Sequence, residues 1–278
     1  EGTIGIVTGV SILAARRPSS VNAAILGVNS YDEVRQLFKQ AKSDLCEILS
    51  AFEFWDGKCM DIASEYFKMP NPLSSSYPFY VLLETSGSNA THDEEKLHTF
   101  LEKAITDELA QDGVVAQDKT QQSKFWTVRE GILQSMTNLG ATFKYDISLP
   151  INKLYDIVPD VNRRLTEAGV YKEVEGKSDT DLPVLSVNGY GHIGDGNLHL
   201  NVVAKDFDPK IADLLEPFIY EWVESVNGSV SAEHGLGVMK ADCLKYTKSS
   251  EMIDIMKQLK TLFDPNGIMN PYKFLPSS

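Results

Sequence analysis

Residues 189–201 read GYGHIGDGNLHLN. An Asp-Gly dipeptide between runs of alternating apolar and polar residues is among the strongest short-range hairpin signals, because a type I′ turn needs positive φ at both central positions. The stretch therefore asks for an antiparallel pair with one buried face. With Asp195 and Gly196 as the central residues, the strands pair symmetrically about that bond, and His192 falls directly opposite His199. Directly opposed side chains have Cβ atoms about 4.5–5.5 Å apart, so both imidazoles reach one ion. Asn201 shares the face of His199, while Leu198, Leu200 and Val202 point the other way. A hydrogen-bonded histidine pair holding no ion satisfies the same pattern.

The rest of the chain supplies partners for such a hairpin. VNAAILGV, CEILSAFEFWDG, FYVLLETSGS, VVAQD and TFKYDISLP read as strands. Between them lie helical patterns. SYDEVRQLFKQAKS begins with Ser30 as cap and Glu33 three residues on, a capping box. ASEYFKMPNPLSSSYP reads as a short helix running into a loop. THDEEKLHTFLEKAITDELAQDG reads as a long helix capped by Thr91 and stopped near Gly113, and QQSKFWTVREGILQSMTNLG as another. NKLYDIVPDVNRRLTEAG is capped by Asn152 and broken at its central proline. KIADLLEPFIYEWVESVNG and EMIDIMKQLKTLFDPNG are the last helices, with KEVEGKSDTD and SVSAEHGLGVMK as loops. The predicted class is α+β: a mixed or antiparallel sheet with helices packed on it, followed by a C-terminal helical segment. No internal repeat, GxGxxG or P-loop pattern occurs, which removes a nicotinamide-binding Rossmann domain and a P-loop NTPase.

Composition narrows the partners. The 278 residues are 42% hydrophobic and 23% charged, ordinary for a soluble globular protein. A net charge of −13 argues against nucleic acid, which needs a basic footprint, and against an anionic membrane surface. A small anionic substrate is still allowed, since a few placed cations decide that locally. Cys46, Cys59 and Cys243 form no CxxC pattern and fit reduced thiols in an intracellular compartment, mitochondrial or cytoplasmic. No apolar run approaches membrane-spanning length. The opening EGTIGIVTGVSI reads as a β-rich segment from the middle of a larger protein.

Two further stretches carry chemistry. In SAEHGLGVMK, Glu233 and His234 sit among Ser231, Ala232, Gly235 and Gly237, small residues that let backbone approach a ligand. By itself that is a glycine-rich loop with a solvated acid. With His192 and His199, Glu233 completes two imidazoles and one carboxylate, a set used for catalytic zinc and for non-haem iron or manganese. Three protein ligands leave a position open for substrate, and the adjacent His234 is placed to move a proton. Arg129 falls on a helix whose Phe125, Val128 and Ile132 face the core. Lys144 shares a strand face with Asp146, opposite Phe143, Tyr145 and Ile147. Either cation is a salt-bridged surface residue or a carboxylate reader, with Arg offering a bidentate fork.

These motifs resemble a known family, the FAD-linked 2-hydroxyacid dehydrogenases of the vanillyl-alcohol-oxidase type. GHIGDGNLHLN and SAEHGLG look like its two metal-site signatures. EGTIGIVT is similar to the segment closing its flavin domain, and NPYKFLP to its flavin-adjacent end. The resemblance implies that residues 1–18 end an FAD-binding domain, 19–225 form a substrate-binding cap, and 226–278 return to the flavin. It implies His192, His199 and Glu233 as ligands, usually for zinc, and His234 as the base. Arg129, Lys144 and Asn201 would bind substrate, and Gly2, Thr3, Gly5, Ile6 and Asn270 would lie beside FAD. KYDISLP is more similar to hydroxyglutarate-oxidising members than to lactate-oxidising ones, which implies oxidation of D-2-hydroxyglutarate to 2-oxoglutarate by hydride transfer to flavin. D-lactate oxidation is the alternative, as is a non-redox module that binds a 2-oxo or 2-hydroxy acid through the metal. The implied partners are a small dicarboxylate 2-hydroxy acid and an electron acceptor, and an exposed cap sheet permits a homodimer.

Overall fold

The computed structural model describes residues 1–174 and 176–276; Glu175, inside the predicted charged loop, and Ser277 and Ser278, at the end of the predicted C-terminal segment, lie outside the described residues. The chain runs β1 (Ser20–Val28), α1 (Tyr31–Asp44), β2 (Leu49–Asp56), α2 (Gly57–Phe67), β3 (Phe79–Gly87), α3 (Ala90–Thr106), β4 (Asp112–Val115), α4 (Lys119–Glu130), α5 (Ile132–Leu139) and β5 (Ala141–Ser148). It continues through α6 (Ile157–Glu167), the two-residue strands β6 (Glu173–Val174) and β7 (Lys177–Ser178), β8 (Val184–His192), β9 (Asn197–Ala204), α7 (Pro209–Leu215), α8 (Phe218–Ser225) and α9 (Ser250–Phe263).

Seven strands form one sheet in the order β4-β1-β3-β2-β8-β9-β5. Each of its described pairings is antiparallel, which resolves the expected mixed or antiparallel sheet to the second. Strand alternation divides the core in two. On one face Leu26, Val28, Phe52, Phe54, Val81, Leu83, Leu198, Leu200 and Val202 meet residues of α1, α3, α6 and α8 such as Leu37, Phe100, Val161 and Ile219. On the other, Ala23, Ile25, Trp55, Tyr80, Leu82, Tyr190 and Val203 meet Cys59, Met60, Phe125, Val128, Ile132 and Met136 of α2, α4 and α5.

The hairpin forms, but its register differs from the symmetric expectation. His192 pairs with Asn197, and His199 lies directly opposite Tyr190. The connection is a four-residue loop, Ile193–Gly196, closed by the Gly196 amide donating to the Ile193 carbonyl at 3.4 Å. Only Gly196 takes a left-handed φ, +73°, and the Asp195 carboxylate accepts from the Asn197 amide at 3.2 Å. The cause is Ile193, which is fully buried and draws the turn into the core. Because this displacement is an even number of residues, every side chain keeps the face predicted for it.

Helix ends show smaller corrections. The cap of α3 is Asn89, two residues ahead of Thr91, and the helix stops at Thr106 rather than near Gly113 because Glu108 turns left-handed. The stretch read as one helix over 121–140 divides at Gly131, where a side chain would collide with the Phe67 ring. Asn152 lies in a 3-10 turn rather than at a cap, and α6 starts at Ile157. Pro159 thus falls in the first turn, where its missing N–H costs nothing, and the helix does not break. The stretch 210–228 likewise separates into α7 and α8 around Pro217.

Gly191 shows how tightly the hairpin is drawn under the histidines. A methyl group there would lie 2.1 Å from the Asn197 carbonyl oxygen across the strand pair. Gly191→Ala should lower unfolding free energy by about 1–3 kcal/mol, the usual cost of forcing a backbone apart, as read from a urea titration. An unchanged midpoint would mean that β8 and β9 can separate without strain.

Candidate active site

The site lies on the sheet face that carries α2, α4 and α5. Register aligns its members: Glu53 opposite His192, Tyr190 opposite His199 and Asn188 opposite Asn201, and Asp146 opposite His199 with Lys144 opposite Asn201. Opposed residues share a face, so four adjacent strands deliver one polar patch. Helix α4 adds Arg129, and the loop after α8 adds Glu233 and His234. Arg129 is carried inward because Phe125 and Val128 on the same helix face pack into the core.

Three ligand atoms converge. His199 Nε2 lies 3.3 Å from Glu233 Oε1, and His192 Nε2 lies 3.9 Å from the same oxygen. The imidazole rings stand 5.4 Å apart at 82°. Ligands held at roughly 2.0–2.2 Å from a tetrahedral ion are separated by about 3.3–3.5 Å, so small side-chain adjustments complete a three-ligand site. A second group, Asp146, Glu233 and His234, has ligand atoms equally close together. Asp146 Oδ2, however, already accepts from three backbone amides, which leaves the two-histidine set as the better cradle.

The far nitrogen of each imidazole faces a buried carboxylate. His192 Nδ1 is 2.7 Å from Glu53 Oε2, and His199 Nδ1 is 3.7 Å from Asp146 Oδ1. Carboxylates behind metal-binding histidines fix the tautomer and the ring orientation. The hydrogen bond that His192 Nδ1 donates to Glu53 holds the His192 pKa above its usual value. His199 is lowered to about 4, by burial first and then by the Arg129 charge, which keeps its ring neutral and its lone pair available. Burial alone would raise the Glu53 carboxyl, but His192 and Arg129 outweigh it and the net shift is downward.

The cations behave differently from one another. Arg129 is 5% exposed. Its Nε and Nη2 donate to Glu53 Oε2 at 3.1 and 2.7 Å, and Nη2 is 3.4 Å from His192 Nε2. The bidentate side edge expected to read a carboxylate is therefore occupied by Glu53, which leaves Nη1 for a ligand. The guanidinium also lies over the Tyr190 ring at 5.0 Å. Lys144 is exposed beside the buried Asn201, whose Nδ2 donates to the His199 carbonyl at 3.4 Å. His234 is open to solvent, with Nδ1 3.8 Å from Asp146 Oδ2.

Two of the residues expected beside a flavin, Thr3 and Asn270, belong to a separate knot. Asn270 Nδ2 donates to the Glu1 carbonyl at 2.5 Å, and Lys260 Nζ donates to the Thr3 and Met269 carbonyls. The Glu1 carboxylate accepts from the amides of Leu236 and Gly237, which joins this knot to the loop carrying Glu233 and His234. Gly2, Gly5 and Ile6 are exposed and make none of these bonds.

Three members went unassigned from sequence. Asp146 was placed on the correct face without a role, and Glu53 and Tyr190 were not singled out. Glu53 had a signal, being an acid flanked by Phe52 and Phe54 within the apolar run AFEFW; a charge in such a position is rarely left unpaired.

A sequence profile of the C-terminal domain of FAD-linked oxidases matches residues 17–274. The chain is 47% identical over 280 residues to the mitochondrial D-2-hydroxyglutarate dehydrogenase of Danio rerio, covering 100% of this chain and 49% of that protein. It is 47% identical over 276 residues to a D-2-hydroxyglutarate–pyruvate transhydrogenase of Saccharomyces cerevisiae, covering 99% and 54%. A putative mitochondrial D-lactate dehydrogenase of Schizosaccharomyces pombe is 46% identical over 276 residues, covering 99% and 52%. The chain thus spans about half the length of these relatives. Among solved structures, substrate-bound p-cresol methylhydroxylase superposes with a TM-score of 0.59 at 10% identity, over 93% of this chain and 53% of that one. Alkyldihydroxyacetonephosphate synthase gives 0.56 at 13% identity, over 97% and 47%. At such identities the likeness concerns the fold.

Proposed function

The chain belongs to the C-terminal domain family of FAD-linked oxidases, and on that premise we propose that it carries the substrate- and metal-binding half of a flavin-dependent D-2-hydroxyacid dehydrogenase. D-2-hydroxyglutarate is the favoured substrate and 2-oxoglutarate the product, with D-lactate the alternative within the family. The observation that carries the reading is the convergence of His192 Nε2, His199 Nε2 and Glu233 Oε1 on one point beside a buried arginine. The names of the Danio rerio and Saccharomyces cerevisiae relatives support the substrate, and those of the Danio rerio and Schizosaccharomyces pombe relatives support a mitochondrial setting. Among the described residues no helix is long and apolar enough to cross a membrane.

His192, His199 and Glu233 would hold the ion, and zinc or a similar divalent metal supplies Lewis acidity toward the substrate's 2-oxygen and carboxylate when bound. FAD, when bound, supplies the hydride acceptor. The rest falls to this chain. His234 accepts the hydroxyl proton at Nε2, its Nδ1 side being turned toward Asp146. Arg129 Nη1 and Lys144 Nζ read the distal carboxylate, and the Asn201 amide orients the 2-oxygen. The region 1–18 closes a flavin domain, 19–225 forms the cap, and 226–278 returns to the flavin through the knot at Thr3 and Asn270, with Gly2, Gly5 and Ile6 facing the cofactor. Electrons then leave to an acceptor outside this chain.

Metal content after exhaustive dialysis, beside a His199→Ala variant, tests the core of this reading. The expected result is about one equivalent of zinc in the wild-type chain and none in the variant, as an open three-ligand site requires. A folded sample without metal would return the histidines to a simple hydrogen-bonded pair. In the flavin-loaded parent, His234→Ala should abolish turnover while zinc stays bound, and normal turnover would remove His234 as the base.

A further inference from the structure

We infer that Asp146 is a positioning residue with two separable tasks: one carboxylate oxygen builds the loop that presents Glu233 and His234, and the other selects the tautomer of His199. The inference rests on the metal reading above and names a residue outside the ligand set.

The first task is visible in the hydrogen bonds. Asp146 Oδ2 accepts from the backbone amides of Ala232, Glu233 and His234 at 3.2, 3.0 and 2.8 Å. Three consecutive amides converging on one anionic oxygen form a nest, and each bond is charge-assisted. The antiparallel bridge between Ser148 and Ser229 brings the loop alongside β5. Glu233 and His234 are therefore held in place by a residue on a rigid strand, beside the bond within the loop from the Ser231 hydroxyl to the His234 carbonyl.

The second task follows from what Oδ1 lacks. It is buried and has no hydrogen-bond partner among the described residues. Such an orphan is costly unless a donor reaches it. The group facing it is His199 Nδ1 at 3.7 Å, just beyond hydrogen-bond range. An ionised carboxylate can only accept, so a proton on Nδ1 satisfies Oδ1 and leaves the Nε2 lone pair directed at Glu233, 3.3 Å away. That is the tautomer able to bind a metal. The arrangement repeats, with a different residue, the contact between Glu53 and His192 Nδ1. Closing the remaining gap needs less than an ångström of ring movement, which a metal pulling on Nε2 would set.

Asp146→Asn separates the tasks. The amide oxygen keeps the three loop N–H groups, and the NH2 group then faces His199 Nδ1. Two donors cannot share that contact, so the imidazole proton moves to Nε2 and occupies the ligand position. Asp146→Ala loses the loop as well. Zinc affinity, by chelator competition, and amide exchange at 232–234 are measured on the full 278-residue chain. In Asp146→Asn, zinc affinity should fall by about 10–100-fold while the three amides stay protected. In Asp146→Ala both should be lost. A purely structural role would leave Asp146→Asn with normal zinc affinity, and that result overturns the inference. Imidazole nitrogen NMR of the zinc-free wild-type protein needs no variant: a proton on Nδ1 of His199 supports the assignment, and a proton on Nε2 overturns it even if the variants do not fold. A wild-type chain that takes up no zinc refutes the metal reading, and the tautomer still decides the role of Asp146.

Discussion

Glu53→Ala will destabilise the protein by about 3–5 kcal/mol, the usual result of removing one partner from a buried ion pair. Both Glu53 and Arg129 are less than a tenth exposed, and Arg129 directs two of its donors to the single oxygen Oε2. Alanine at position 53 leaves the guanidinium charged, desolvated and without its carboxylate, with the Tyr190 ring and His192 beside it. His192 Nδ1 loses its acceptor in the same step. Glu53→Gln keeps the shape and one acceptor, and should cost clearly less. Guanidinium chloride titrations of the three proteins read the difference. A loss below about 1 kcal/mol for the alanine variant would mean that Arg129 finds a new partner, such as Glu233, whose Oε1 lies 3.9 Å from His192 Nε2.

Zinc will raise the melting temperature by roughly 8 °C when present at about a thousand times its dissociation constant. At that excess a ligand bound only by the folded state contributes about 4.1 kcal/mol, and a chain of this size shifts by about 2 °C per kcal/mol. The expectation follows from ligands contributed by β8, β9 and the loop after α8, which come together only in the folded chain. His199→Ala should remove the shift. A shift of equal size in that variant would place the bound zinc elsewhere, with the free thiols of Cys46 and Cys243 as the first suspects. No shift in the wild-type chain would remove the metal from the proposed mechanism.

The part of the site that could be read from the sequence is the part encoded locally. His192 and His199 are seven residues apart in one hairpin, and side-chain alternation put them on one face even though the turn was placed two residues out of register. Glu33 and Ser30 were legible for the same reason, since a capping box spans one helical turn. Glu53 and Asp146 were not. Glu53 matters because β2 lies beside β8, and Asp146 because β5 lies beside β9 with the 231–234 loop folded over it. Neither adjacency leaves a periodic trace, and an acid on a strand looks the same whether it meets water or a buried imidazole. Arg129 shows the intermediate case: its helix was legible, but the partner that takes its bidentate edge was not. The helix division at Gly131 was hidden because the apolar period continues across it, whereas the division between α7 and α8 carried a visible break signal in Pro217.

The seam between β2 and β8 has a consequence for how the protein is made. Strands β1 to β4 pair among themselves in the order β4-β1-β3-β2, so this half of the sheet can assemble while the rest of the chain is still being synthesised. Until β8 emerges, β2 is an outer strand with unpaired N–H and C=O groups, the usual starting point for association with a neighbouring chain. Glu53 stands in the middle of that waiting edge, opposite the position His192 will occupy. Until α4 brings Arg129 to it, a strand from another nascent chain could pair there only by burying an uncompensated carboxylate. Inward-pointing charges are one of the devices by which sheets refuse foreign strands. The acid that orders the finished site thus also guards the unfinished one, until Arg129 from α4 and then His192 from the chain's own β8 neutralise it.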